Sequence, residues 1–183
     1  MLSSDQLKQL LAELDAELGR RGVAAEICLF GGAAMILAFD ARESTRDVEA
    51  IFVPRAEVAA AAEAVAERCG VPADWLNDAV KGFVSQRHET TTEGLPLLEH
   101  VRLVRPTDEY LLAMKCLAAR AADYATDGDR RDVELLVRRL NLRTAEDVFQ
   151  VIAAYYHDRV IPARTRYFVE EIIEALWPAD PKP

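Results

Sequence analysis

Ala25-Glu26-Ile27-Cys28-Leu29-Phe30-Gly31-Gly32, running on into Ala33-Ala34-Met35-Ile36-Leu37-Ala38-Phe39, sets the architecture. Residues 25–30 are short, mostly apolar and closed by a glycine pair, which predicts a buried strand. Ala33 to Phe39 predicts a helix that starts directly on Gly31-Gly32. Upstream, Leu7, Leu10, Leu11, Leu14 and Leu18 recur at helical spacing. They predict an amphipathic helix started by Ser3 or Ser4 and stopped near Gly19 and Gly22. Downstream, Asp47-Val48-Glu49-Ala50-Ile51-Phe52-Val53 reads as a second strand closed by Pro54. Pro54 also suits the start of an Ala-rich helix from Arg55 to Arg68 that ends at Gly70.

The pattern then weakens. Pro72 to about Val80 predicts a short helix carrying Trp75 and Leu76. Lys81 to Pro96, with Thr90, Thr91, Thr92 and Gly94, predicts a loop or a weak hairpin. Glu99 to Arg105 alternates around Val101, Leu103 and Val104 and reads as a later strand. After Pro106 the chain reads as helical. Thr107 caps an expected helix through Ala125, and Asp127-Gly128 breaks it. Asp129 to Leu140 is a further helix. Thr144 and Asp147 form a capping box for a helix through His157. A last helix covers Ala163 to Trp177, ahead of a Pro-rich tail expected to fray. The chain thus divides into an α/β half, residues 1–105, and a helical half, residues 106–183, expected to pack as one unit.

Composition agrees with a cored globule. The 183 residues are 51% hydrophobic and 29% charged. That balance excludes intrinsic disorder and a disulfide-stapled miniprotein. No stretch approaches the roughly 20 uncharged apolar residues of a membrane span, so no membrane partner is expected. The N-terminus lacks a signal-peptide layout, and a cytoplasmic location is expected. Cys28, Cys69 and Cys116 are an odd count without CxxC spacing, which predicts buried cytosolic thiols. With 22 Lys+Arg against 31 Asp+Glu the net charge is −9, which weighs against a broad basic surface for nucleic acid.

Four features can carry chemistry. A glycine pair at a strand-to-helix junction exposes backbone N–H groups and the positive end of the helix dipole, which suits a phosphate; a plain tight turn is the commoner meaning. On a strand, Asp47 and Glu49 project from one face. Two adjacent carboxylates suit a magnesium ion or a solvated sheet face, and apolar Ile51 and Val53 on the same face favour the former. Lys115 lies in the apolar stripe of its helix, where a charge is costly without a partner. It either snorkels to solvent or reaches into a cleft to bind a phosphate. Asp129 and Asp132 flank Arg130-Arg131 near a helix start, where capping is the first explanation. His88, His100 and His157 are scattered, and no HExxH, GxSxG or Walker lysine motif is present.

The order of these features is more specific than any one of them. A strand ending in Gly31-Gly32, a helix, then Arg42…Ser44-Thr45-Arg46-Asp47-Val48-Glu49 resembles the nucleotidyltransferase superfamily. Tyr110-Leu-Leu-Ala-Met-Lys115…Arg120 followed by Asp129-Arg-Arg-Asp132-Val-Glu-Leu-Leu resembles the helical half of AbiEii-type nucleotidyltransferases. That group includes toxins of toxin–antitoxin and phage-defence systems and small relatives, in which Pro72-Ala-Asp-Trp75-Leu-Asn77-Asp78 is also familiar. The resemblance covers residues 25–140. It implies an α/β (α+β) minimal nucleotidyltransferase fold, a mixed sheet flanked by helices, with a helical C-terminal half. It also implies magnesium or manganese as cofactor and a nucleoside triphosphate as substrate. By resemblance, Gly31, Gly32, Arg46, Lys115 and Asp129 bind the nucleotide. Asp47 and Glu49 hold the metal, and Asp47, Glu49, Lys115 and Asp132 are catalytic.

The implied reaction is attack of an acceptor hydroxyl on the α-phosphate with release of pyrophosphate. The acceptor is a tRNA end, a protein or a small molecule such as an antibiotic, and an antitoxin protein is a further partner. A catalytically weak member acting as a binding partner is the alternative. Two departures stand out. The usual second Asp is Glu49 here, and a third carboxylate has only Glu99 as a candidate.

Overall fold

A strand with almost no polar side chain is stable only where both of its faces are covered, and the one at 25–29 lies in the middle of a sheet. The computed structural model describes residues 1–119 and 127–178. In chain order they form β1 (Leu2–Ser3), α1 (Ser4–Arg20), β2 (Ala25–Leu29), α2 (Gly31–Phe39), β3 (Ser44–Thr45), β4 (Val48–Val53) and α3 (Arg55–Cys69). Then come β5 (Leu76–Asn77), a 3-10 turn (Ala79–Phe83), β6 (Thr90–Thr91), β7 (Val101–Pro106), α4 (Asp108–Ala118), α5 (Asp127–Arg139), α6 (Ala145–Tyr155) and α7 (Ala163–Leu176). The protein is mixed α/β. Five strands lie in the order β5-β4-β2-β7-β6, and β1 and β3 form a separate two-stranded ribbon. The main sheet is mixed: β2 runs antiparallel to β4 and parallel to β7.

The chain forms two compact units, Met1–Phe83 with Thr90–Pro106, and Val84–Glu89 with Thr107–Pro183. In the first, the register Ile27↔Phe52 and Leu29↔Ala50, with Ile27↔Leu103, sorts the sheet into two faces. One carries Ile27, Leu29, Val48, Ala50, Phe52, Val101 and Leu103, all buried. On α1, Leu7, Leu10, Leu11, Leu14 and Leu18 are buried, as are Val58, Ala61 and Val65 of α3. Each leucine so buried contributes about 1.5–3 kcal/mol over leaving it exposed. Ser3 caps α1 through a capping box with Gln6. Asp15 of α1 accepts the backbone N–H groups of His100 (2.7 Å) and Val101 (2.8 Å), fixing the start of β7. Glu17 holds Arg20, Arg21 and Arg68, and the hydrogen bonds from Arg20 and then Arg21 lower its carboxyl from the ordinary 4.5 to about 2. The other face carries Cys28 and Val104, both buried, Glu49 and Ile51, both half-buried, and Val53, 57% exposed at the end of β4.

Several expectations need correction. Pro72 to Val80 is a turn followed by β5 and the 3-10 segment, not a helix. Trp75 is drawn under α3, where its Nε1–H donates to the Ala62 carbonyl at 3.1 Å, and Val48 N–H pairs with the Trp75 carbonyl. Helix α4 stops at Ala118, because Ala119 takes ψ 109, well outside the helical range; the expected continuation to Ala125, with Arg120, lies outside the described residues. Asp127-Gly128 opens α5 instead of breaking a helix. Gly19 does not stop α1. It leaves room for the His100 ring, which a β-carbon there would strike. Cys28 and Cys116 are buried, and burial pushes both thiols up to about 12, whereas Cys69 at the end of α3 is exposed.

Candidate functional site

The site builds up from the junction of β2 and α2. Phe30 is the N-cap residue of α2 in extended conformation and gives the helix no side-chain cap. Its N–H pairs with the Glu49 carbonyl at 2.9 Å, tying the start of α2 to β4. Gly31 follows at φ 56, a conformation that suits glycine. Space imposes a second requirement. A β-carbon on Gly31 would collide with Glu49 Oε2, and one on Gly32 with the Thr45 hydroxyl, with Arg42 Nη1 only 3.9 Å away. The glycine pair therefore lets the acidic strand and its approach segment come up against the positive end of a helix.

Asp47 lies just before β4, two residues from Glu49. Strand alternation puts both on one face with Ile51, and all three are half-buried. Asn77, paired with Glu49 in the β4–β5 register, donates from Nδ2 to Asp47 Oδ2 at 3.0 Å. The Thr45 hydroxyl donates to the Asp47 carbonyl at 3.2 Å. Beyond Ile51, a cavity of about 230 Å³ is lined by Ile51, Phe52, Arg55, Asp78 and Lys81. Arg55 and Lys81 both hold Asp78 Oδ2, at 2.9 and 3.3 Å, and the Arg55 hydrogen bond, then that of Lys81, keeps this carboxyl below its usual range. Arg46 is exposed.

A magnesium ion accepts one or two protein carboxylates and completes its shell with water and substrate phosphate. Asp47 and Glu49 fit that form. The space left by the missing β-carbon of Gly31 is where Glu49 Oε2 sits, beside the helix start. Among the described residues no group of three or more His, Cys, Asp or Glu side chains could hold a metal by itself. Glu99, the candidate third carboxylate, is exposed at the entry to β7.

In the second unit, Lys115 neither snorkels nor stands alone. Its Nζ lies 2.7 Å from Asp132 Oδ2 and 3.6 Å from Asp129 Oδ1, joining α4 to α5. Asp132 is fully buried and the Lys115 residue is 8% exposed. Asp132 lies beyond the first turn of α5 and does not cap it. Arg130 pairs with Glu134 and Glu171, both on helices of this unit. The first unit thus gathers Gly31, Gly32, Glu49 and Asp47, and the second gathers Lys115, Asp129 and Asp132.

Sequence reasoning assigned no role to Asn77, Asp78, Arg55 or Lys81, and assigned none to Thr45 at the glycine turn. The one signal available was the segment Asp74-Trp75-Leu76-Asn77-Asp78, in which an aromatic anchor precedes two polar residues. Comparison with known protein families, curated proteins and solved structures gives no match for this chain.

Proposed function

We propose that this protein is a magnesium-dependent nucleotidyltransferase that transfers a nucleoside monophosphate from a nucleoside triphosphate to an acceptor hydroxyl. The observation that carries the reading is the seat of Glu49 against Gly31, at the start of α2 and on the sheet face that Asp47 shares. Backbone N–H groups at Gly31 and Gly32 bind phosphate oxygens, where the helix dipole favours negative charge. Asp47 and Glu49 hold the metal, which supplies charge neutralisation on the attacking and leaving oxygens. Arg46, exposed beside the acidic strand, approaches the triphosphate. In the reaction the acceptor oxygen bonds to the α-phosphorus as its proton passes to water, the bond to the bridging oxygen breaks, and pyrophosphate leaves. Within the helical unit, Asp132 and Asp129 hold in place the Lys115 ammonium, the group that the resemblance makes a phosphate contact.

The acceptor is a tRNA end, a protein or a small molecule, in the manner of a toxin–antitoxin or phage-defence enzyme. The net charge of −9 favours a protein or a cationic small molecule over RNA. One observation favours the second reading, a catalytically weak protein that acts by binding a partner such as an antitoxin: among the described residues no group of three or more His, Cys, Asp or Glu side chains is placed to hold a metal.

Incubation with labelled triphosphates, magnesium and separate tRNA, protein and small-molecule acceptors decides between them. Transfer should be lost at least 100-fold in Asp47→Ala, with the far-UV spectrum unchanged. Retained transfer in that variant removes the acidic pair from the chemistry. No transfer to any acceptor and no triphosphate binding by calorimetry leaves the binding protein.

A further inference from the structure

The Asn77 side chain is held by three hydrogen bonds, and the nucleotidyl-transfer reading gives it no role. All but one of its hydrogen-bonding capacities are used. Oδ1 accepts the Ala79 N–H at 3.1 Å, and Nδ2 donates to the Asp74 carbonyl at 3.3 Å and to Asp47 Oδ2 at 3.0 Å. The Ala79 N–H can be met only by the amide oxygen, so the amino group must face the carboxylate. Its backbone is equally fixed. Trp75, 2% exposed, is pinned by its indole N–H to Ala62, and Leu76 and Asn77 pair in register with Val48 and Glu49.

We infer that Asn77 is a positioning residue for the metal-holding carboxylate. It occupies Oδ2 of Asp47 and so presents the other oxygen, Oδ1, to the cation. The inference rests on the metal-binding reading of Asp47 and Glu49, and extends it to the residue that orients the ligand. A carboxylate on a short approach segment has two free torsions and two equivalent oxygens. One directed N–H from a fixed amide removes that freedom, and losing such an outer partner costs a metal site about 10–100-fold in affinity. The sequence separation of 30 residues between donor and acceptor means that β5 is what delivers the amide.

The test is Asn77→Ser in the full chain. A serine hydroxyl still accepts an N–H two residues on, which keeps the local turn, but it is too short to reach Asp47. Mn²⁺ affinity is measured by calorimetry, with Asp47→Asn alongside. The expected result is Mn²⁺ binding weakened about 10–100-fold in Asn77→Ser and abolished in Asp47→Asn, with the metal-free unfolding midpoint of Asn77→Ser at the wild-type value. The Mg²⁺ concentration for half-maximal transfer should rise by the same factor, and saturating metal should recover the rate. Wild-type Mn²⁺ affinity in Asn77→Ser, with binding lost in Asp47→Asn, overturns the positioning role and leaves the metal reading standing. Unaltered Mn²⁺ binding in Asp47→Asn overturns the metal reading itself, and the role of Asn77 with it. A lowered midpoint in Asn77→Ser at wild-type affinity assigns Asn77 to the turn alone.

Discussion

At the level of single residues, Gly31 carries two constraints at once, and they separate experimentally. Its φ of 56 is one that a side chain resists, at about 1–2 kcal/mol for an L-residue in the left-handed region. Its missing β-carbon makes room for Glu49 Oε2. Gly31→Ala should therefore lower stability by about 1–2 kcal/mol in urea unfolding and also displace the Glu49 carboxylate. Displacement reads out as weaker Mn²⁺ binding than the stability loss explains; a stability loss with native Mn²⁺ affinity would refute the second constraint. Gly31, Gly32, Asp47 and Glu49 stand out in the sequence because the patterns they belong to are local. A strand–turn–helix junction and an i, i+2 acid pair are short-range patterns. The contact between Asn77 and Asp47 was not legible, for the opposite reason. The two residues are 30 apart, and the contact depends on the register of a two-residue strand that no periodicity announces.

At the level of elements, α4 and α5 are joined by a buried charge, and that makes Lys115 a structural group before it is anything else. Removing one member of a buried pair costs about 3–5 kcal/mol, because the other is left buried and uncompensated, whereas replacing both by apolar side chains is often neutral. Asp132→Ala should destabilise in that range, with Asp129 at 3.6 Å softening the loss. Lys115→Met should do the same, and Lys115→Met combined with Asp132→Leu should regain most of it in thermal unfolding. The stable double variant then isolates chemistry from folding: full transfer activity in it would take both residues out of the reaction. Elements with long amphipathic stripes and explicit caps were legible, as the capping box of Thr144 and Asp147 on α6 shows. The 72–83 stretch was not, because burial of Trp75 under α3 decides its path and local propensity does not.

At the scale of the whole chain, the two units interleave in sequence. The sequence divides at 105/106, where strands give way to helices, yet Val84–Glu89 belongs with the helical unit. That segment comes from the stretch with the poorest pattern, since what holds it is aromatic packing and hydrogen bonding at a distance. Ser85 N–H donates to the Tyr110 hydroxyl at 2.7 Å, and the Tyr155 hydroxyl, stacked on Tyr110, donates to Glu89 Oε2 at 2.6 Å. Arg87 closes over the Tyr155 ring at 5.1 Å and pairs with Glu89 at 2.8 Å. The phenols of Tyr110 and Tyr155 are buried, and a buried polar group that loses its partner costs about 1–3 kcal/mol. A fragment of residues 107–183, cut one residue past the boundary the sequence suggests, should lose helicity and melt early. The Thr107 N–H lies 3.1 Å from the Glu89 carbonyl, so residues 84–89 can be joined to Thr107 through a two-glycine link in place of residues 90–106. That fused chain should be more helical and more stable than 107–183 by about 2 kcal/mol or more, the sum expected from restoring at least two such hydrogen bonds. Equal melting of the two chains by circular dichroism would mean that the segment only lies on the helices without stabilising them.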